Sequence, residues 1–158
     1  MLIAVVSDTH RSSRHLEIVK EMIKDADILL HLGDNVDDAE ELESGFKGET
    51  HIVAGNCDFT KKYPKDRIIE VNKRKIFMTH GDLYAVKMSL NSIYYKGKEV
   101  GADVVVFGHS HMSGIERSES MTLMNPGSPS LPRLGKGSIG FIDIDDSGSI
   151  ETYLKEVK

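Results

Sequence analysis

Five short hydrophobic segments, each followed by a turn that carries aspartate, asparagine or histidine, constrain this chain more than any other feature of its sequence. The segments are rich in β-branched residues and lack polar alternation, which is typical of strands buried on both faces of a sheet. They are Leu2–Val6, Ile28–Leu30, His51–Ala54, Ile76–Met78 and Val104–Phe107. The chain has 158 residues, the length of one domain, so we expect a single domain over residues 1–158.

Helical patterns lie between these strands. The first helix begins after Ser12 or Ser13 and has an apolar face at i, i+3 and i+7. A second starts at a capping box formed by Asp37 and Glu40 and ends at Gly45. A third is predicted over Val86–Val100. The residues of the first apolar face are Leu16, Val19 and Ile23.

The second half of the chain is rich in predicted hairpins. Their strands are Arg67–Val71 with Lys75–Met78, Ile115–Arg117 with Met121–Met124, and Gly140–Ile144 with Ile150–Leu154. Alternating strands and helices followed by hairpins indicate an α/β fold with one mixed sheet, or with two sheets packed face to face and helices outside.

The polar residues that follow the five segments predict a metal site. Ligands collect at the carboxyl ends of strands in α/β sheets, so these residues are expected to converge. They are Asp8, His10, Asp34, Asn56, His80, His109 and His111. Asp and Asn also stabilise turns and cap helices, which would explain one or two of these residues. It would not explain seven at five strand ends.

Seven ligands are too many for one tetrahedral zinc but suit two divalent ions that share a carboxylate. Mixed imidazole and oxygen ligands favour Mn, Fe, Zn, Ni or Co over Mg or Ca, and Mn is our first expectation. Two such ions, two carboxylates and a bridging hydroxide together have a net charge of about +1. Such a centre can bind an anionic phosphate ester and attack it in line.

The five motifs, in order, resemble the calcineurin-like metallophosphoesterase superfamily. They read Asp-x-His, Gly-Asp, Gly-Asn-x-Asp, His-Gly and Gly-His-x-His. The short chain, Thr79-His80-Gly81 and the loop Asn125-Pro126-Gly127-Ser128 are similar to the small prokaryotic phosphodiesterases of the YfcE type. This resemblance implies a four-layer α/β/β/α sandwich with two mixed sheets and no cap domain.

The resemblance also implies how the ligands divide. Asp8, His10 and His111 would hold one metal, and Asn56, His80 and His109 the other, with Asp34 bridging them. A hydroxide between the metals would attack phosphorus. Asn56, His80 and His109 are expected to take part in catalysis as well as in metal binding.

One position departs from the pattern of many superfamily members. They have Gly-Asn-His-Asp, in which the histidine helps the leaving group depart, whereas this chain has Cys57. A thiol is a weak substitute for that acid. The branch of small phosphodiesterases often lacks this histidine too, so the change favours a phosphodiesterase over a phosphomonoesterase or protein phosphatase.

Other polar residues are expected to have structural roles. His31 is interpreted as a packed, hydrogen-bonded histidine, and Asp58 as a turn or hydrogen-bonding residue. Arg11 is left open between a contact with the substrate phosphate and a solvated loop, and Arg133 between the mouth of the site and an interface.

Charge and composition exclude some partners. The net charge of −5 disfavours binding to duplex nucleic acid. No apolar run approaches the ~18 residues of a membrane span, and the residues before the first strand lack a basic region, so we expect neither a membrane span nor a signal peptide. The single cysteine suits a reducing compartment, so we expect a cytoplasmic protein. Its expected partner, from the charge of the metal site, is a small phosphate ester. By resemblance, a homodimer or larger assembly is expected.

A different class of function stays open at this point. The superfamily includes a non-catalytic scaffold, a protein-binding subunit of the retromer complex. A scaffold relative is expected to have lost metal-binding histidines, whereas this chain retains all of them.

Overall fold

The computed structural model describes residues 1–158 and contains ten strands and three helices. The helices are α1 (Ser13–Ile23), α2 (Val36–Gly45) and α3 (Asn91–Val100). The strands are β1 (Leu2–Val6), β2 (Ile28–His31), β3 (Glu49–Ile52), β4 (Asp66–Val71), β5 (Arg74–Thr79), β6 (Val104–Val106), β7 (Gly114–Arg117), β8 (Thr122–Asn125), β9 (Ser138–Ile144) and β10 (Ile150–Glu156).

The strands form two mixed sheets of five. The first has the order β10-β9-β1-β2-β3, in which β1, β2 and β3 are parallel and β9 runs antiparallel to β1. The second has the order β4-β5-β6-β8-β7, in which β5, β6 and β8 are parallel. The parallel strands of each sheet end at a common edge, which brings their following turns together.

The hydrophobic core lies between the two sheets. Its largest cluster joins residues such as Ile3 and Leu30 of the first sheet to Ile76 and Val106 of the second. Helices α1 and α2 cover the outer face of the first sheet, and Ile93 of α3 packs on the outer face of the second. This confirms the predicted four-layer α/β/β/α sandwich.

The three predicted hairpins are confirmed as β4–β5, β7–β8 and β9–β10. Strand β3 was predicted over 51–54 but occupies Glu49–Ile52. The reason is that the ladder with β2 ends where Val53 N donates to His31 O. Ala54 N then turns away to Pro64 O.

Two predicted helix starts are wrong. The third helix begins at Asn91 rather than Val86, because Ala85 has a φ of 50° and a short 3₁₀ turn, Asp82–Tyr84, precedes it. Helix α2 begins at Val36, and no capping box forms at Asp37. Its first amide is instead capped by the Asp58 carboxylate, 2.9 Å away.

The longest helix has 11 residues. None of the helices has the length and apolar character needed to span a membrane.

Candidate metal centre

The turns after β1, β2, β5 and β6 meet at one edge of the two sheets. Within the first sheet, Asp8 N donates to Gly33 O at 3.0 Å, and within the second, Gly108 N donates to His80 O at 2.8 Å. Between the sheets, His109 N donates to Asp8 Oδ2 at 3.0 Å. The predicted ligands on these turns therefore face one another across the sandwich.

Asp8 lies at the centre of this arrangement and is fully buried. Its Oδ2 accepts hydrogen bonds from Ser7 Oγ at 2.7 Å and from His109 N. Its Oδ1 has no hydrogen-bond partner although it is buried. A buried carboxylate oxygen without a partner is costly, and a cation bound at Oδ1 would remove that cost.

His80 and His111 are both held with Nε2 facing Asp8. Nδ1 of His111 lies 2.8 Å from Leu131 O, and Nδ1 of His80 lies 2.7 Å from Leu32 O. A carbonyl only accepts, so each Nδ1 carries a hydrogen and the neutral ring has its lone pair on Nε2. Such backbone contacts are typical of histidines that ligate metals.

The ligand atoms fall into two overlapping groups. In the first, His111 Nε2 is 3.2 Å and His10 Nε2 is 3.8 Å from Asp8 Oδ1. In the second, His80 Nε2 is 3.9 Å from the same oxygen and 3.4 Å from Asp34 Oδ2. Asp8 Oδ1 therefore belongs to both groups, whereas Asp34 belongs to the second group only.

His109 and Asn56 lie beside these groups. His109 Nδ1 is 3.2 Å from His80 Nε2, which places it next to the second group. Asn56 is exposed, and its side-chain amide nitrogen lies 3.9 Å from Cys57 Sγ. The structure thus brings six of the seven predicted ligands together. Asn56 is the exception, but its turn contacts the site, because the backbone amide of Cys57 donates to Asp34 Oδ1.

The backbone at the site is strained. Nine residues other than glycine have a positive φ, and five of them are predicted ligands. These are Asp8, His10, Asp34, His109 and His111, with φ between 47° and 69°. Strained backbone conformations of this kind cluster at functional sites, where the surrounding structure holds them in place.

The two carboxylates are negatively charged at neutral pH. Burial alone would raise the pKa of Asp8, but contacts with His10 and His111 hold it below its usual range. Asp34 behaves in the same way, because His80 lowers its pKa against the effect of burial. Ionised carboxylates together with imidazole lone pairs form a donor set that fits divalent transition-metal ions.

Comparisons with known proteins show the family of this chain. Residues 1–147 match the model of the calcineurin-like phosphoesterase superfamily domain. The chain belongs to this superfamily. The resemblance predicted from the five motifs is thereby confirmed, and with it a phosphoesterase fold that implies divalent metals.

Three similar proteins illustrate the relationship. A probable metallophosphoesterase of Bacillus subtilis, YsnB, is 37% identical over 137 residues, covering 85% of this chain and 78% of its own. A predicted phosphoesterase from Streptococcus pneumoniae has a TM-score of 0.78 at 26% identity, covering 98% and 97% of the two chains. The phosphoesterase YfcE from E. coli has a TM-score of 0.70 at 25% identity and covers both chains fully.

The other residues singled out in the sequence have clear positions in this phosphoesterase fold. His31 is buried, its Nδ1 accepts from Gly33 N at 3.2 Å, and burial lowers its pKa to about 4. The prediction that it is packed and hydrogen-bonded is confirmed. Arg11 is exposed, 4.0 Å from Asp37, whereas Arg133 lines a groove together with His109 and His111.

Sequence reasoning missed residues that position the ligands or line the groove beside them. Ser7 donates to Asp8 Oδ2, Ser128 Oγ donates to Asp8 O at 2.6 Å, and Lys87 lies in the groove beside the histidines. Ser7 directly precedes the Asp-x-His motif, which is a usable signal. Nothing in the sequence around Lys87 indicated the site.

Proposed function

We propose that this phosphoesterase hydrolyses phosphodiesters at a centre of two divalent metal ions, with Mn²⁺ as the first expectation. The observation that carries the proposal is the pair of overlapping ligand groups, Asp8 with His10 and His111, and Asp8 with Asp34 and His80. Two groups that share a carboxylate suit two neighbouring ions better than one.

When bound there, two divalent ions supply an activated hydroxide for in-line attack and positive charge for the phosphoryl oxygens. The chain's own residues orient the ligands. Leu32 O and Leu131 O fix the rings of His80 and His111. Ser7 and the amide of His109 fix one oxygen of Asp8 and leave the other free to bind.

The preference for diesters is supported by the absence of an effective general acid at position 57. Burial and the nearby Asp34 carboxylate raise the pKa of the Cys57 thiol to about 11. Such a thiol is a poor general acid at neutral pH. We therefore expect rapid cleavage of esters with acidic leaving groups and slow cleavage of alkyl monoesters.

We further propose a small phosphate ester as the natural substrate. The net charge of −5 opposes binding to the phosphate backbone of duplex nucleic acid. The unpaired Lys87 and Arg133 in the groove beside the histidines suit a small anionic ester.

The test uses protein stripped of metal with a chelator. Hydrolysis of bis-p-nitrophenyl phosphate and of p-nitrophenyl phosphate is measured before and after adding Mn²⁺, with Ni²⁺, Co²⁺, Fe²⁺ and Zn²⁺ in parallel. We expect Mn²⁺ to restore turnover, with the diester faster, and metal analysis to find two ions per chain. His111→Ala should lose this activity, and His15→Ala, on α1, should keep it.

Two results would contradict the proposal. One bound ion per chain at full activity would overturn the two-metal centre. Failure of all five metals to restore turnover of either ester would favour a protein-binding scaffold on the same fold.

A further inference from the structure

A cleft of about 480 Å³ opens beside the candidate metal centre. Its volume lies within the range of small-molecule sites, roughly 300–1,000 Å³. The segment before α3, the turn after β6 and strand β8 form its apolar wall. That wall consists of Val86, Met88, Leu90, Phe107, Met112 and Leu123.

The cleft is continuous with the metal-binding edge. Lys87, Ser110 and Arg133 line both the cleft and the adjoining groove of about 230 Å³, which contains His109 and His111. The segment that carries Arg133 is tied to the site, because Arg133 N donates to His111 O at 3.0 Å. Two cations that form no ion pair thus lie where the cleft meets the ligands, a suitable position for a phosphate group.

Asn125, which also lines the cleft, uses its polar atoms within the protein. Asn125 Nδ2 donates to Gly108 O and Ser110 Oγ, and Asn125 Oδ1 accepts from Gly127 N. The acidic side chain of Glu116 lines the cleft but not the groove, which disfavours a second anionic group there. The cleft therefore offers apolar surface rather than a pattern of hydrogen bonds.

We infer that this cleft binds the ester substituent that a phosphodiester substrate retains after cleavage, and that it selects apolar substituents the size of an aromatic ring. The inference rests on the proposed phosphodiesterase function. In the reaction, the oxygen of water bonds to phosphorus and the bond to the departing alcohol or phenol breaks. A departing alcohol takes one proton of the water, whereas an acidic phenol leaves as the phenolate and that proton goes to solvent. The retained substituent leaves the cleft as its monoester.

Met88 and Met112 are the residues best placed to make this selection. Their side chains are 87% and 44% exposed, so they are available to a ligand and contribute little to the core. Flexible thioether side chains adapt to different apolar ligands and make favourable contacts with aromatic rings. A monoester has no retained substituent to place here, which adds to the preference for diesters.

The first test compares methyl p-nitrophenyl phosphate with phenyl p-nitrophenyl phosphate, which share a leaving group and differ in the retained substituent. With Mn²⁺-loaded protein we expect kcat/KM to be about tenfold higher for the phenyl ester. The double variant Met88→Ser, Met112→Ser should reduce this ratio to about twofold. Leu134→Ser, a change at a 66% exposed residue outside the cleft, should keep it.

The second test does not depend on turnover. Protein labelled with ¹³C in its methionine methyl groups and loaded with Zn²⁺ is titrated with diphenyl phosphate and with dimethyl phosphate. The signals of Met88 and Met112 should shift with diphenyl phosphate only. Those of Met78 and Met124, which are buried between the sheets, should not move.

The outcomes separate this inference from the proposed function. Equal turnover of both esters without methionine shifts overturns the assignment of the cleft and leaves the phosphodiesterase standing. If the methionine signals shift but no ester is turned over, the proposed function is wrong, and the cleft still binds apolar diesters. If the double variant converts a dimer to a monomer and the ratio is unchanged, the cleft is an interface between copies of the chain and the inference is wrong.

Discussion

At the scale of single residues, Asp58 holds together the two turns that follow β2 and β3 beside the candidate centre. Its Oδ2 accepts from the amides of Asp34 and Gly55, both at 2.8 Å, and its Oδ1 accepts from Val36 N. One buried carboxylate thus positions a predicted ligand, the turn that carries Asn56 and the start of α2.

Replacing Asp58 with Asn should lower the free energy of unfolding by about 3 kcal/mol. The reason is that the side-chain NH₂ of the variant would face a backbone N–H that donates to a carboxylate oxygen in the native chain. Urea denaturation of the metal-free protein measures this. The matched change at the exposed Asp37, Asp37→Asn, should cost less than about 0.5 kcal/mol. Equal urea midpoints for the two variants would contradict the role given to Asp58.

Cys57 provides the second prediction at this scale. Its thiol is protonated at neutral pH, because burial and Asp34 raise its pKa to about 11. Cys57→Ala should keep kcat for bis-p-nitrophenyl phosphate within about threefold, since p-nitrophenolate departs without a proton. The backbone N–H of residue 57, which donates to Asp34 Oδ1 at 2.9 Å, is retained in this variant. A hundredfold loss would show that the thiol acts directly.

At the scale of elements, the turn after β3 lies directly against the turn after β2. A Cβ added at Gly55 would lie only 2.1 Å from Asp34 Oδ1. Gly55→Ala should therefore displace Asp34, reduce the affinity for metal at least tenfold and cost about 1–3 kcal/mol of stability. Metal titration and urea denaturation measure the two effects. Gly45→Ala, at the end of α2 with open space around its Cβ, is the control and should change neither.

Elements whose boundaries are set by neighbouring residues were predictable from the sequence. Boundaries that depend on contacts formed only in the folded chain, or on an unusual backbone conformation, were not. Strand β1 follows from its own hydrophobic residues, and the start of α1 at Ser13 was indicated by the neighbouring serines, although Ser12 Oγ contacts His15 Nδ1 and forms no capping hydrogen bond. The start of α2 depends on Asp58, 22 residues away. The start of α3 depends on the positive φ of Ala85, which no local pattern indicated.

The same distinction holds for the site. Most of the candidate ligands were found because each directly follows a predicted strand, so a local pattern carried the information. The cleft was not found, because Met88 and Met112 come from separate segments and become neighbours only in the folded chain.

At the scale of the whole molecule, the candidate centre joins the two sheets. Asp8, His10 and Asp34 follow strands of the first sheet, whereas His80, His109 and His111 follow strands of the second. Elsewhere the sheets are joined through the shared core and by several hydrogen bonds, such as the one that Arg117 Nη2 donates to Thr152 O at 3.0 Å. An ion held at the centre would cross-link both layers.

Metal binding should therefore stabilise the entire fold. A ligand at a hundred times its dissociation constant adds about 2.7 kcal/mol, which corresponds to a rise in Tm of roughly 5–10 °C for a domain of this size. Calorimetry of chelator-stripped protein with and without Mn²⁺ measures the shift. His111→Ala should lose most of the shift, whereas His15→Ala should keep it. An equal shift in both variants would mean that the stabilising ion binds elsewhere, because His111 Nε2 lies 3.2 Å from the buried oxygen of Asp8.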